Sequence, residues 1–393
     1  MFIGMDVLPI VNQQSTALQG LWFVLIGVLW IGFFFLEGFD FGIGMLIPFI
    51  GGKSDAKRRV IVNAIGPTWD GNEVWLLTAG GAMFAAFPTW YATLFSVLYL
   101  PLFLVLVGLI IRGISFEYRS LNPDTKWRFT FDWLNTIGSF VVTLVLGVGF
   151  ANFVRGVPVE YLGDFAHRFL GLFNGYGLLG GVMLVVLFLA HGAQFLSIKT
   201  MDEVSVSARK VANLLTPVAA VLMAAFVIWG TALYATDNPF TGSWGNIVRW
   251  AVGAISVIAL VGATILGRKS RPGIAFIGTG LAIATWVINV WVTIYGTLGI
   301  GTFNLAAGDK VPFFFHKISV NFDSPVSMMQ SWASSDGTLG LMRTFAFIMV
   351  PIVLAYIMWT YWIFRKRLNT VNIPIASKIS QTSVDKANAA ASK

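Results

Sequence analysis

The chain has 393 residues, of which 56% are hydrophobic and 11% charged, whereas soluble domains run near 45 to 50% apolar and about 25% charged. This excludes a soluble globular protein and points to an integral membrane one, and the absence of cysteine excludes disulfides, thiolate metal sites and cysteine-held iron–sulfur clusters. The net charge of +8 does not indicate a nucleic-acid partner, because the basic residues gather at the ends of apolar runs, where they set topology in a lipid bilayer.

Hydropathy predicts nine spans, each near the roughly 20 residues a bilayer core requires: 18–50, 64–87, 91–112, 133–153, 176–198, 211–235, 247–266, 273–298 and 341–364. The first is too long to cross perpendicularly, so it is expected to tilt or project. No basic n-region or small-residue cleavage site opens the chain, so no signal peptide is predicted. Lys53, Lys57, Arg58 and Arg59 follow span one, Arg119, Lys126 and Arg128 span three, Lys199, Arg209 and Lys210 span five, Arg268, Lys269 and Arg271 span seven, and Arg365, Lys366 and Arg367 span nine. The opposite loops hold Arg155, Arg168, Lys310 and Lys317. The positive-inside rule therefore predicts the N-terminus outside and the C-terminus in the cytoplasm. The outer loop 299–340 is expected to pack on the protein. Residues 1–368 read as one polytopic membrane domain and 369–393 as a polar, disordered cytoplasmic tail.

Acids interrupt the apolar runs. Glu37 and Asp40 lie in the second half of span one, and Asp70 and Glu73 in the first half of span two, so all four are expected in the cytoplasmic half of the membrane. Carboxylates inside spans are costly and mark ion or proton routes. Members of each pair are three apart and share a helix face, and Gly38 and Gly42, four apart, allow another helix to approach closely beside it. Two readings are open. A partly dehydrated carboxyl can load and release protons near neutral pH; alternatively these acids pair with Arg112, Arg119 or backbone donors and hold helices together.

Histidine is scarce: His191 lies within span five, His167 in an outer loop and His316 in the long outer loop. With no second histidine in a span, His191 reads as a hydrogen-bonded core residue rather than a haem ligand, and the same shortage excludes a His-based metal site. The stretch Gly38-Phe39-Asp40-Phe41-Gly42-Ile43-Gly44 is not a nucleotide loop, since it lies inside a span with no strand before it. Residue chemistry leaves a proton-handling subunit or a transporter, although the inverted repeats and broken helices of transporters do not stand out.

Gly38 to Gly44, Trp69-Asp70-Gly71-Asn72-Glu73-Val74-Trp75-Leu76, the run Ala79 to Pro88, Phe116-Glu117-Tyr118-Arg119, His191-Gly192-Ala193 and Trp332 to Leu339 resemble subunit II of the cytochrome bd quinol oxidases over nearly the whole chain. The resemblance implies an all-α integral membrane protein of two four-helix bundles plus one additional helix in the bacterial cytoplasmic membrane. It also implies a terminal oxidase that passes electrons from a quinol to oxygen and forms water. Haems b and d and the substrate quinol site belong, on that resemblance, to a haem-bearing subunit I; this chain binds no cofactor alone, holds no metal and has no catalytic residue of its own. The resemblance carries a cytoplasmic proton route onto Asp70, with Asp40 as second candidate and Glu37 beside them. It places Trp69 against a structural quinone. Small accessory membrane subunits are further partners the resemblance allows.

Overall fold

The computed structural model describes residues 16–155, 165–237, 243–297 and 333–371. The expected loop 299–340, apart from its last residues, and the expected tail beyond Val371 lie outside the described residues, as does His316.

Helices account for almost all of the described chain. The first, α1 (Ala17–Gly51), starts at a capping box in which Thr16 and Gln19 satisfy each other's backbone N–H groups, and it ends where Gly52 takes a positive φ of 55°. Its 35 residues give roughly 52 Å at 1.5 Å per residue, in keeping with the expected tilt or overhang. Next come α2 (Asp55–Ile65), α3 (Trp69–Ala86), α4 (Pro88–Val97), α5 (Tyr99–Tyr118), α6 (Thr125–Arg155) and α7 (Phe165–Leu172). The chain continues through α8 (Gly175–Lys199), α9 (Asp202–Asp237), α10 (Ser243–Arg268), α11 (Pro272–Thr297) and α12 (Asp336–Ile363).

Eight of the described helices, α1, α5, α6 and α8 to α12, are long and apolar enough to cross a bilayer. The ninth expected segment differs. Ala64 belongs to α2, Pro67 stands in the turn that follows, and the helix that remains, α3, has only 18 residues with Asp70 in its first turn. The expected span 91–112 is likewise divided, because α4 ends at Val97 and α5 begins at Tyr99.

Packing sorts α3 and seven of the long helices into two groups of four. The first contains α1, α3, α5 and α6; the second is a closed ring of α8, α9, α10 and α11, and the groups join where α8 lies against α1 and α6. Small residues make that junction possible. A Cβ on Gly192 would stand 2.7 Å from the Gly42 carbonyl carbon and 2.8 Å from Phe39 O, so α1 and α8 touch backbone to backbone. Gly147 and Gly180 do the same for α6 and α8. The helix that Gly38 and Gly42 admit is thus α8. Between the groups lies an aromatic core of Phe33, Phe34, Phe150, Phe188 and Trp286.

The remaining helix, α12, touches α1 and α3 and is exposed along its middle, with Leu339 its one buried residue. Both ends are fastened. Thr16 donates to Asp336, Trp22 Nε1 to Leu339 O at 3.0 Å, and Ser334 to the carbonyls of Ala85 and Ala86. At the other end Lys199 donates to Phe364 O, Arg367 to Thr200 O, and Leu368 pairs with the backbone of Lys199 and Met201.

Candidate functional site

Glu37 and Asp40 are fully buried on α1, one turn apart. Facing them from α5 is Arg112, also fully buried. Its Nη1 pairs with Glu37 Oε1, its Nη2 lies 4.0 Å from Asp40 Oδ2, and Nη1 also lies 3.7 Å from Glu73 Oε2 of α3. Three carboxyl groups therefore surround a single guanidinium. Aromatic faces hold that guanidinium in place, with Phe41 at 4.8 Å and Phe116 at 5.3 Å, an arrangement suited to a planar cation.

A fourth helix end completes the cluster. Asn72 Nδ2 donates to Asp40 Oδ2 at 2.7 Å, and Tyr361 of α12 donates its hydroxyl to Asn72 Oδ1 at 2.8 Å. Glu37 Oε2 and Asp40 Oδ1 have no hydrogen-bond partner among the described residues. Two buried carboxyl oxygens thus stand beside a single guanidinium without a donor of their own.

The four acids expected to act together are not equivalent. Glu37 and Asp40 are interior, and Glu73 is half-buried on the same side of α3 as Arg112. Asp70 is exposed. It looks away from the cluster into whatever lies beside α3, and it interacts with Glu73 one turn on. Trp69 is half-buried, stacked on Phe116 with centroids 4.9 Å apart, and its outer edge remains open. Sequence reasoning weighed Arg112 as a partner for these acids and missed Tyr361, whose position nearly three hundred residues downstream carries no pattern signal.

A second charged network lies beyond the same end of the bundle. Asp132 of α6 accepts from Arg58 of α2 at 2.7 Å and from Arg119 at 2.6 Å, while Asp55 accepts from Arg119 and Arg128 at 2.9 Å each. Burial opposes the charge on Asp55, but the two guanidinia outweigh it and hold the carboxyl below the usual range. These arginines, expected to mark topology, also bolt α2 to α5 and α6.

His191 is fully buried. Its Nδ1 meets Thr279 Oγ1 at 2.7 Å and its Nε2 meets Phe35 O at 3.1 Å, with the ring stacked on Phe276. Both ring nitrogens are engaged, so it does not fit as an axial haem ligand. Among the described residues no group of His, Cys, Asp or Glu is arranged to hold a metal ion.

Comparison with known proteins places these features. The model of the family described as cytochrome bd terminal oxidase subunit II matches residues 18–364. The chain belongs to that family. It is 36% identical over 354 residues to cytochrome bd ubiquinol oxidase subunit 2 of Bacillus subtilis, covering 90% of this chain and 98% of the relative. It is 36% identical over 373 residues to cytochrome bd-I ubiquinol oxidase subunit 2 of Escherichia coli K12, covering 88% and 93%. The fold is shared with a chain of the bd oxidase from Geobacillus thermodenitrificans at a TM-score of 0.62 and 17% identity, over 89% of this chain and all of that one. The protein is thus subunit II of a cytochrome bd-type oxidase, a multi-pass bacterial inner-membrane member of an oxidoreductase complex, and as a subunit II it has a partner subunit.

Proposed function

We propose that this chain is the haem-free half of the oxidase. It pairs with a haem-bearing subunit I that also holds the quinol site, and it supplies cytoplasmic protons for oxygen reduction through Asp70, Glu37 and Asp40. The supporting observation is the Glu37–Asp40–Arg112 cluster, in which buried carboxyls outnumber the cation and two of their oxygens lack a donor. The Lys and Arg asymmetry of the loops supports an N-terminus outside and a C-terminus inside, and on that orientation the cluster lies in the cytoplasmic half. Asp70, exposed on α3, loads first; Glu73 stands between it and Arg112, and the buried pair receives the proton. The half-open edge of Trp69 suits contact with a structural quinone ring.

The test is Asp70→Asn in the assembled complex. An amide keeps the shape but cannot change charge, so haem content should stay intact while quinol-driven oxygen consumption falls at least about tenfold, the lower range for losing a positioned proton-transfer group. Full turnover in a properly assembled variant overturns the route. The pairing of Glu37 with Arg112 favours a second reading, that the acids are purely structural. On that reading Asp40→Asn impairs assembly and haem retention before it slows turnover.

A further inference from the structure

Although α12 is exposed along its middle, Tyr361 near its C-terminal end turns into the bundle and reaches the acid pair through one intermediate, Asn72. An amide has an acceptor on one side and two donors on the other, and nothing in its shape distinguishes them; its neighbours decide which way it faces. A phenol that donates to Asn72 Oδ1 leaves Nδ2 to face Asp40 Oδ2. The reversed amide would set oxygen against oxygen. The other side of Tyr361 lines a cavity of about 160 Å³ shared with Thr68, Lys199 and Arg365, so the phenol stands between this cavity and the interior carboxyls.

We propose that Tyr361 is a positioning residue for the buried acid pair: its hydroxyl fixes the Asn72 amide so that an N–H is always presented to Asp40, which couples the seating of α12 to the protonation of Glu37 and Asp40. The functional part of this claim rests on the proton-route reading above. Asp40 is faced by Glu37 on its own helix, Glu73 of α3, Arg112 of α5 and, through Asn72, Tyr361 of α12. His191 of α8 is occupied with Thr279 and Phe35. Arg112 and Asn72 are therefore the donors that face Asp40, and of these Asn72 owes its orientation to Tyr361.

The experiment uses the complete oxidase carrying Tyr361→Phe, Asn72→Ala, both together, and Asp40→Asn as reference. Two quantities are read: the pH profile of quinol-driven oxygen consumption, and the infrared carboxyl band that disappears in Asp40→Asn. Tyr361→Phe should retain haem, slow turnover at neutral pH by roughly two- to tenfold, the worth of one hydrogen bond, displace the profile towards higher pH and move the band. Because both residues act through one chain, the double variant should be no worse than Asn72→Ala alone. An unmoved profile and band in Tyr361→Phe, or additive effects in the double variant, overturns the proposal. If Tyr361→Phe assembles poorly, the band of the assembled fraction decides, and an unmoved band overturns it. Normal turnover in Asp40→Asn sinks the proton route alone, and the band still tests the positioning.

Discussion

At the scale of the residue, Arg112 carries the largest burden. A buried pair broken by removing one partner costs about 3–5 kcal/mol, because the remaining charge is left without compensation, and here three carboxyls lean on the one guanidinium. Arg112→Gln should lower the thermal midpoint of the detergent-solubilised complex and its haem retention together. Arg112→Lys keeps the charge but loses the fork and the aromatic stacking, so its loss should be intermediate, as a thermal melt of the three proteins side by side will show. The acids were legible in the sequence because a carboxylate in an apolar run is conspicuous by its cost. Their inequality was not: spacing places Asp70 and Glu73 on one helix face, and only tertiary packing turns Glu73 towards Arg112 while leaving Asp70 outside.

At the scale of the element, α2 is held by charge as well as by its apolar face. Asp132→Asn leaves the Arg58 and Arg119 guanidinia without their shared carboxylate, and amide exchange over residues 55–65 should speed up while the membrane helices stay protected. Asp55 adds a pH dependence. Its folded carboxyl is held below the ordinary range, so its contribution is complete above the unfolded range and is lost as pH falls through the folded value. Protection of α2 should hold constant near neutrality and fall once pH drops below roughly 4; Asp55→Asn should show the reduced protection already at pH 7. Long apolar helices such as α8 and α11 were legible within a few residues, since hydropathy alone defines them. The segment 64–112 was not, because the turn at Pro67 and the break at Leu98 divide it at positions where the average hydropathy changes little.

At the scale of the whole molecule, two groups of four helices meet along α8, with α12 fastened across α1 and α3. With His191 engaged on both nitrogens, the chain expressed alone should show no haem at one per polypeptide in a reduced-minus-oxidised spectrum, and the haems should copurify only with its partner subunit. The double bundle followed from family resemblance rather than from periodicity, which does not say which helices pair. The pairing of Glu37 with Arg112, 75 positions apart, also sets a schedule for biosynthesis. At 5–20 residues per second, α1 waits roughly 4 to 15 s for the cation that neutralises it. The Asn72–Tyr361 contact, 289 positions apart, forms roughly 14 to 58 s after Asn72 is made. Until α5 is made, a nascent helix thus carries two acids without their cation at the translocon, and the Asn72 amide waits for its phenol until the final helix is released.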